Sequence, residues 1–153
     1  DLLDRGEINE PEYVSRIIAE FSRHDIEFVP YNFRPPERPE SWTLVEKIRK
    51  LDRRQLLLTN DASNWLGNDW WENWSRRHLF EGVVDVTNGI RKPAPEPYLA
   101  CLEKLNLPPE ECIFIDDMHI NCSGAENVGI QSYWYDVTDP KASVEGLSIR
   151  LGI

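Results

Sequence analysis

One stretch restricts the fold more than any other: Cys112 to Gly124, reading C-I-F-I-D-D-M-H-I-N-C-S-G. Four apolar residues, Cys112 to Ile115, predict a short buried strand. Asp116 and Asp117 follow with no spacer, and a helical run from Asn121 to Val128 closes at Gly129. A strand that ends on two acids and passes into a helix fits a parallel α/β sheet, where ligands bind beyond the carboxyl ends of the strands. Two adjacent carboxylates there suit a divalent cation, because hard cations take anionic oxygen ligands. The same residues also suit a helix-entry turn with Asp as its cap.

The neighbouring sequence repeats the alternation. Gln55 to Leu58 is an apolar run ending at Thr59 and Asn60, and Val83 to Val86 is a second. Between them, 62–78 reads as helical with one interruption at Gly67-Asn68. Asn88-Gly89 marks a turn, and Pro93, Pro95 and Pro97 pin an extended loop. Pro97 suits the first turn of a helix whose buried face is Tyr98, Leu102 and Leu105. Gln131 to Tyr135 is the last strand, and the tail to Ile153 predicts a short helix with a loose end. Strands and helices in alternation with short links mean parallel strands.

Before this alternation the pattern differs. Asn9 can cap a helix with Glu12 completing a capping box, and Val14, Ile17, Ile18 and Phe21 share its face. Val29 to Pro39 holds four prolines and predicts an irregular link. Ser41 can cap a second helix whose Leu44, Val45, Ile48 and Leu51 face inward. Residues 1–51 therefore form a small helical region, and 52–153 the α/β core. The formal charge of −10 argues against a nucleic-acid partner. No apolar run is long enough for a membrane span, and no leader opens the chain. Three cysteines without C-x-x-C spacing fit reduced thiols in the cytoplasm. Trp70 and Trp74, within the tryptophan-rich stretch 65–74, share a face that suits packing. His119, Arg34 and Arg38 are expected to be solvated.

Thr59 and Asn60, Lys92, and the Asp116–Asp117 pair all fall at or beyond strand carboxyl ends. L-L-L-T-N, G-I-R-K-P-A-P-E-P-Y and I-F-I-D-D-M-H-I-N-C-S-G-A-E-N-V-G-I resemble, in order, the second, third and fourth motifs of the haloacid dehalogenase superfamily. The resemblance runs from about Leu56 to the C-terminus. It implies a three-layer Rossmann-like α/β fold with a parallel sheet, and 1–51 resembles the small helical cap that this superfamily carries. It implies a Mg2+-dependent phosphatase acting on a small phosphorylated or other anionic substrate through an aspartyl-phosphate. Thr59 would donate to a phosphoryl oxygen, Asn60 would shape that loop, and Lys92 would neutralise charge. Asp116 and Asp117 would hold Mg2+, with Asn121 behind them.

The superfamily's first motif, a strand ending in D-x-D that supplies the nucleophile and the general acid, matches nothing here. Asp1 and Asp4 have the wrong spacing, and Asp85 stands alone. As written, the chain is expected to be inactive, with its first, central strand missing. An upstream segment, or a homodimer that donates a strand, is expected to fill that place. The alternative is a non-catalytic remnant of the fold that binds a partner or ligand. The sequence does not identify the substrate.

Overall fold

A computed structural model describes residues 2, 3, 7, 8, 10–27, 38–87 and 89–153. Two compact units divide the chain, Asp1–Glu37 and Arg38–Ile153. In the first, helix α1 spans Glu10–Ser22. Val14 and Ile17 are half-buried, whereas Ile18 and Phe21 are exposed. An exposed Arg16–Glu12 pair one turn apart (2.6 Å) adds only a few tenths of a kcal/mol, about the value of a solvated i,i+4 pair. The capping box expected at Asn9, the Pro-rich link, Arg34 and the turn at Asn88 fall wholly or partly outside the described residues.

The second unit opens with helix α2, Pro39–Lys50. It begins two residues before the expected Ser41 cap. Pro39 occupies the first turn, where its missing N–H costs nothing. Ser41 instead hydrogen-bonds the Tyr135 hydroxyl, a contact across 94 residues that local sequence cannot announce. Leu44 and Ile48 of α2 are buried, and Leu51, just past its end, is exposed. These two pack with Leu147 of α7, Pro140–Leu151. The second helix thus belongs to the compact unit that holds the strands, so the division by contacts falls after Glu37 rather than after Leu51.

Four short strands follow the expected runs to within two residues. They are β1 (Leu57–Thr59), β2 (Val83–Asp85), β3 (Ile113–Asp116) and β4 (Gln131–Trp134). β1 pairs in parallel with β2, and β3 in parallel with β4. Among the described residues these are two separate two-stranded sheets, and β1 and β3 are not paired with each other.

Successive side chains of a strand point to opposite faces, and β3 shows the consequence. Ile113 packs against the cluster of Leu44, Ile48 and Leu147. Phe114 packs against the other cluster, built from Tyr98, Ala125 and Ile130 and joined by Leu58 of β1. Tyr98 lies on α5 (Pro95–Leu105) and Ala125 on α6 (His119–Asn127). Helices α2 and α7 therefore cover one face and α5 and α6 the other, which makes three layers. A buried Leu or Ile contributes about 1.5–3 kcal/mol, so the fold rests on these two clusters.

The long helix expected over 62–78 is instead three short pieces: α3 (Ala62–Leu66), α4 (Trp70–Asn73) and a 3-10 turn at Arg77–Leu79. Gly67 ends α3 with φ +90°, a region closed to most side chains. The tryptophans then pack on one another. Trp74 stacks on Phe80 at 5.6 Å and meets Trp42 edge-on at 5.8 Å, with Trp70 and Trp71 beside it. The C-terminal tail is a full helix of 12 residues, α7, and not a loose end. It is capped by Asp139, which accepts from the Ala142 N–H.

Candidate functional site

The carboxyl ends of β1, β2 and β3 carry the polar residues, and the helices that follow fix their directions. Asn60 comes first after β1. Its side-chain Nδ2 donates to the Lys92 carbonyl (3.2 Å), and its Oδ1 accepts from the Lys92 N–H (2.9 Å). One carboxamide thus satisfies both main-chain groups of Lys92. The Lys92 ammonium then donates to Asp116 Oδ2 at 2.7 Å and lies 3.4 Å from the Leu58 carbonyl oxygen. Both charged side chains are buried, 9% and 8% exposed.

Both oxygens of Asp116 are engaged. Its Oδ1 accepts from the Met118 N–H and from Asn121 Nδ2, both at 2.9 Å. Asn121 is 4% exposed, and its carbonyl accepts from the Tyr98 hydroxyl at 2.8 Å. Burial first, and then the Asp116 charge, push the Tyr98 hydroxyl well above the usual tyrosine range, so it stays a donor. Helix α6 begins at His119, two residues before the expected start, which puts Asn121 within its first turn and in reach of Asp116.

Asp117 differs from its neighbour. Its residue is exposed, and its carboxylate makes no hydrogen bond or ion pair with the described residues. Its carbonyl accepts from Trp134 Nε1 at 2.8 Å, and the exposed His119 ring stacks on Trp134 at 4.3 Å. Thr59 ends β1 with its hydroxyl 3.5 Å from the Asp61 N–H. No hydrogen bond joins it to Lys92 or Asp116. The structure therefore brings together Asn60, Lys92, Asp116 and Asn121, and leaves the Thr59 hydroxyl and Asp117 carboxylate beside that group.

Three features of the site escaped the sequence reading. Asp61 takes the Arg91 guanidinium between its two oxygens, at 3.2 and 3.3 Å. Asp85 ends β2 and accepts four hydrogen bonds, from the Ser63 N–H and hydroxyl, the Trp70 indole and the Thr87 hydroxyl. Burial alone would raise the Asp85 carboxyl; the bonds from Ser63, Thr87 and Trp70 outweigh it and hold it below the usual carboxylate range. The third is Gly124 in α6. A Cβ there would lie 2.5 Å from the Pro93 carbonyl oxygen and 2.7 Å from the Tyr98 hydroxyl oxygen. Only a glycine lets α6 approach the Lys92–Pro93 segment so closely. The one available signal was the pairing of adjacent polar residues, Asn60-Asp61 and Arg91-Lys92, after successive strands.

Two predictions arise here. Gly124→Ala should destabilise the protein by about 1–3 kcal/mol, the usual cost of overpacking, because backbone atoms of Pro93 cannot turn aside. A urea melt reads it, and an unchanged midpoint refutes it. Asp85→Asn should also destabilise, with a defined pH dependence. A carboxyl held low when folded contributes stability that is present above its unfolded pKa and lost as pH falls through its folded value. The difference in melting temperature between the wild type and the variant should thus be constant near neutrality and shrink below the ordinary carboxylate range. A difference that grows on acidification would contradict the assignment.

Elsewhere among the described residues the polar groups do not converge in this way. A recess of about 450 Å³ sits at the opposite, amino-terminal ends of β3 and β4, lined by Arg53, Cys112, Gln131 and Arg150. Its two arginines are already paired, Arg53 with the Leu151 carbonyl and Arg150 with Gln131. The three cysteines are free thiols, and burial raises each above the usual range, Cys101 to about 11.

A divalent cation would need more than the described residues offer. Asp117 supplies one free carboxylate, but Lys92, Met118 and Asn121 occupy Asp116. Among the described residues no three His, Cys, Asp or Glu side chains group so as to hold a metal. The residues present fit one edge of an oxygen-ligand site and not a whole one.

Parallel strands between two helical layers, with polar side chains converging beyond the strand ends, define a Rossmann-like α/β protein. Its family follows from direct comparison: the model of the haloacid dehalogenase-like hydrolases matches residues 8–129, and the chain belongs to that family. It is 38% identical to acyl-CoA dehydrogenase family member 10 of Mus musculus over 109 residues, 71% of this chain and 10% of that protein. It is 34% identical to glyceraldehyde 3-phosphate phosphatase of Pyrococcus furiosus over 70 residues, 42% of this chain and 29% of that one. Among solved structures it resembles a haloacid dehalogenase-family enzyme of Bacteroides thetaiotaomicron, crystallised with magnesium and inorganic phosphate. That likeness has a TM-score of 0.58 at 23% identity and covers 87% of this chain and 72% of the other. The chain thus spans less than a third of the length of these curated relatives. Among the described residues no helix is long and apolar enough to cross a membrane.

Proposed function

We propose that this chain carries most of the phosphate-handling half of a Mg2+-dependent phosphatase acting on a small phosphate ester. The observation that carries the reading is the buried Lys92–Asp116 pair, held at the carboxyl ends of β1 and β3 by Asn60 and Asn121. The phosphatase among the relatives, and the magnesium and phosphate in a structural neighbour, support it.

In this reading the chain's residues position and neutralise, which is most of what phosphoryl transfer asks of a protein. The Lys92 ammonium offsets negative charge on the phosphoryl group. The Thr59 hydroxyl donates to one of its oxygens. Asn60 holds the Lys92 main chain, and Asn121 holds Asp116. Asp117, exposed and unpaired among the described residues, is the carboxylate most available to a cation, with Asp116 beside it. Bound Mg2+ would draw charge from the phosphoryl oxygens. The attacking carboxylate comes from outside the present sequence. The non-catalytic alternative differs only in that this carboxylate never arrives.

The test is turnover of an aryl phosphate with Mg2+. The 153-residue chain should show none, and a longer form supplying an apolar strand that ends in D-x-D should be active. Turnover by the chain alone would overturn the assignment of the nucleophile, and an inactive longer form would favour the binding reading. Mg2+ titrated into the chain by calorimetry should bind weakly, in the millimolar range, because two carboxylates replace too little of its reluctant hydration shell. Micromolar affinity would mean that another ligand set exists.

A further inference from the structure

Two adjacent residues after β1 grip two adjacent residues in the loop after β2. Asn60 closes both hydrogen bonds on the main chain of Lys92. Asp61 takes the guanidinium of Arg91 in a two-point fork, Nη1 to Oδ2 at 3.2 Å and Nη2 to Oδ1 at 3.3 Å. The same Nη2 donates to the Thr87 carbonyl at 3.2 Å, so the fork ties both flanks of the loop. Asn64 Nδ2 donates to Asp61 Oδ1 at 2.6 Å and fixes the carboxylate from the α3 side. Both charged side chains are largely buried, Arg91 at 14% and Asp61 at 11% exposure.

We propose that Asp61 and Arg91 are positioning residues that fix where the Lys92 ammonium stands. A lysine is a compact charge on a flexible four-carbon stem, so its position depends on how firmly its own backbone is held. Asn60 alone would leave the loop free to turn about one clasp. A second clasp on the preceding residue removes that freedom. An arginine fork suits the task because it sets orientation as well as distance. Stability alone explains the pair poorly. A buried ion pair loses so much hydration that a well-packed apolar pair of similar size often does as well or better. What the apolar pair lacks is the directional grip on Thr87 and Asn64.

The functional part of this inference rests on the phosphatase reading; the placement of Lys92 does not, and the experiment separates them. The probe is an amine-reactive acylating reagent, with modification of each lysine followed by mass spectrometry on the folded 153-residue chain. Lys92 should be strongly protected in the wild type. Arg91→Met and Asp61→Asn should each speed its modification by about tenfold or more, the factor expected when a charge-assisted hydrogen bond is lost. Arg91→Lys keeps the charge but not the fork, and should also lose protection. Leu147→Ala, which loosens the α2–α7 cluster away from the site, controls for general destabilisation and should leave Lys92 protected below its melting temperature.

Unchanged Lys92 modification in Arg91→Met and Asp61→Asn would overturn the proposal, as would an increase no greater than in Leu147→Ala. Wild-type protection in Arg91→Lys would overturn the role of the fork. No turnover is needed for any of these readings, so a failure of the phosphatase assignment leaves the test intact.

Discussion

Replacing Lys92 by Met should destabilise this protein by about 3–5 kcal/mol, the cost of leaving one member of a buried ion pair alone. The Lys92 ammonium and Asp116 carboxylate meet at 2.7 Å with 9% and 8% exposure. Asp116 cannot turn to water when its partner is lost, because the Met118 N–H and the Asn121 amide hold its other oxygen. Domains of this size are stable by only about 5–15 kcal/mol, so the loss is a large share of the whole. Adding Asp116→Asn to Lys92→Met should restore part of it, since no charge is then buried unpaired, while Asn can still accept from Met118 and Asn121. Urea melts of the two singles and the double give the coupling directly. A double variant no more stable than the Lys92→Met single would show that the buried charge is not what costs. In a form of the protein that hydrolyses a phosphate ester, the same lysine substitution should lower kcat by about 10²–10³-fold, the usual effect of removing one preorganised charge-stabilising group. Normal turnover would remove Lys92 from the site.

That lysine shows how far the sequence could be read. Its place after the second apolar run, and the places of Asn60 and Asp116 after the first and third, follow from strand periodicity. The strands themselves lie within two residues of expectation, since short apolar runs between polar turns have few alternatives. Asn121 could be marked only through the family resemblance, and its bond to Asp116 depends on α6 starting at His119.

What stayed illegible depends on contacts between distant residues. Arg91 carried no signal of its own, because nothing local says that Asp61, 30 positions earlier, will receive it. Ser41 had the look of a helix cap, and Tyr135 drew it into a tertiary bond instead. The segment after Asn60 carried helix-forming residues, yet Gly67 and the mutual packing of Trp70, Trp71 and Trp74 broke it into pieces. The helical region expected over 1–51 divides because Leu44 and Ile48 find Leu147, a partner that periodicity does not name.

The second large effect concerns the open edges of β1 and β3. In a parallel pair the N–H and C=O of one residue point to the same side, and the next residue's point to the other. The Leu57 N–H bonds Gly82, and the Thr59 carbonyl accepts from the Val86 N–H, so both face β2. Leu58 must then face away, and its carbonyl meets the Lys92 ammonium at 3.4 Å. On β3 the Asp116 carbonyl accepts from the Tyr135 N–H, toward β4, so the Ile115 groups face away in turn. Leu58 and Phe114 nevertheless pack on the same cluster from α5 and α6, which holds the two sheets under one helical layer without joining them. An unpaired buried N–H or C=O costs about 1–3 kcal/mol, and exposed strand edges recruit further strands. We expect an extended segment, from the same polypeptide or from a second copy, to enter between β1 and β3. Amide exchange reads this at two positions. In the isolated monomeric chain the Leu58 and Ile115 amides should exchange freely, on the scale of local fraying. When a strand is supplied they should slow by about 10²-fold or more, as opening comes to require unfolding of the sheet. Slow exchange at both positions in a dilute monomer of this chain alone would mean that the two edges are already satisfied, and that no segment is needed between them.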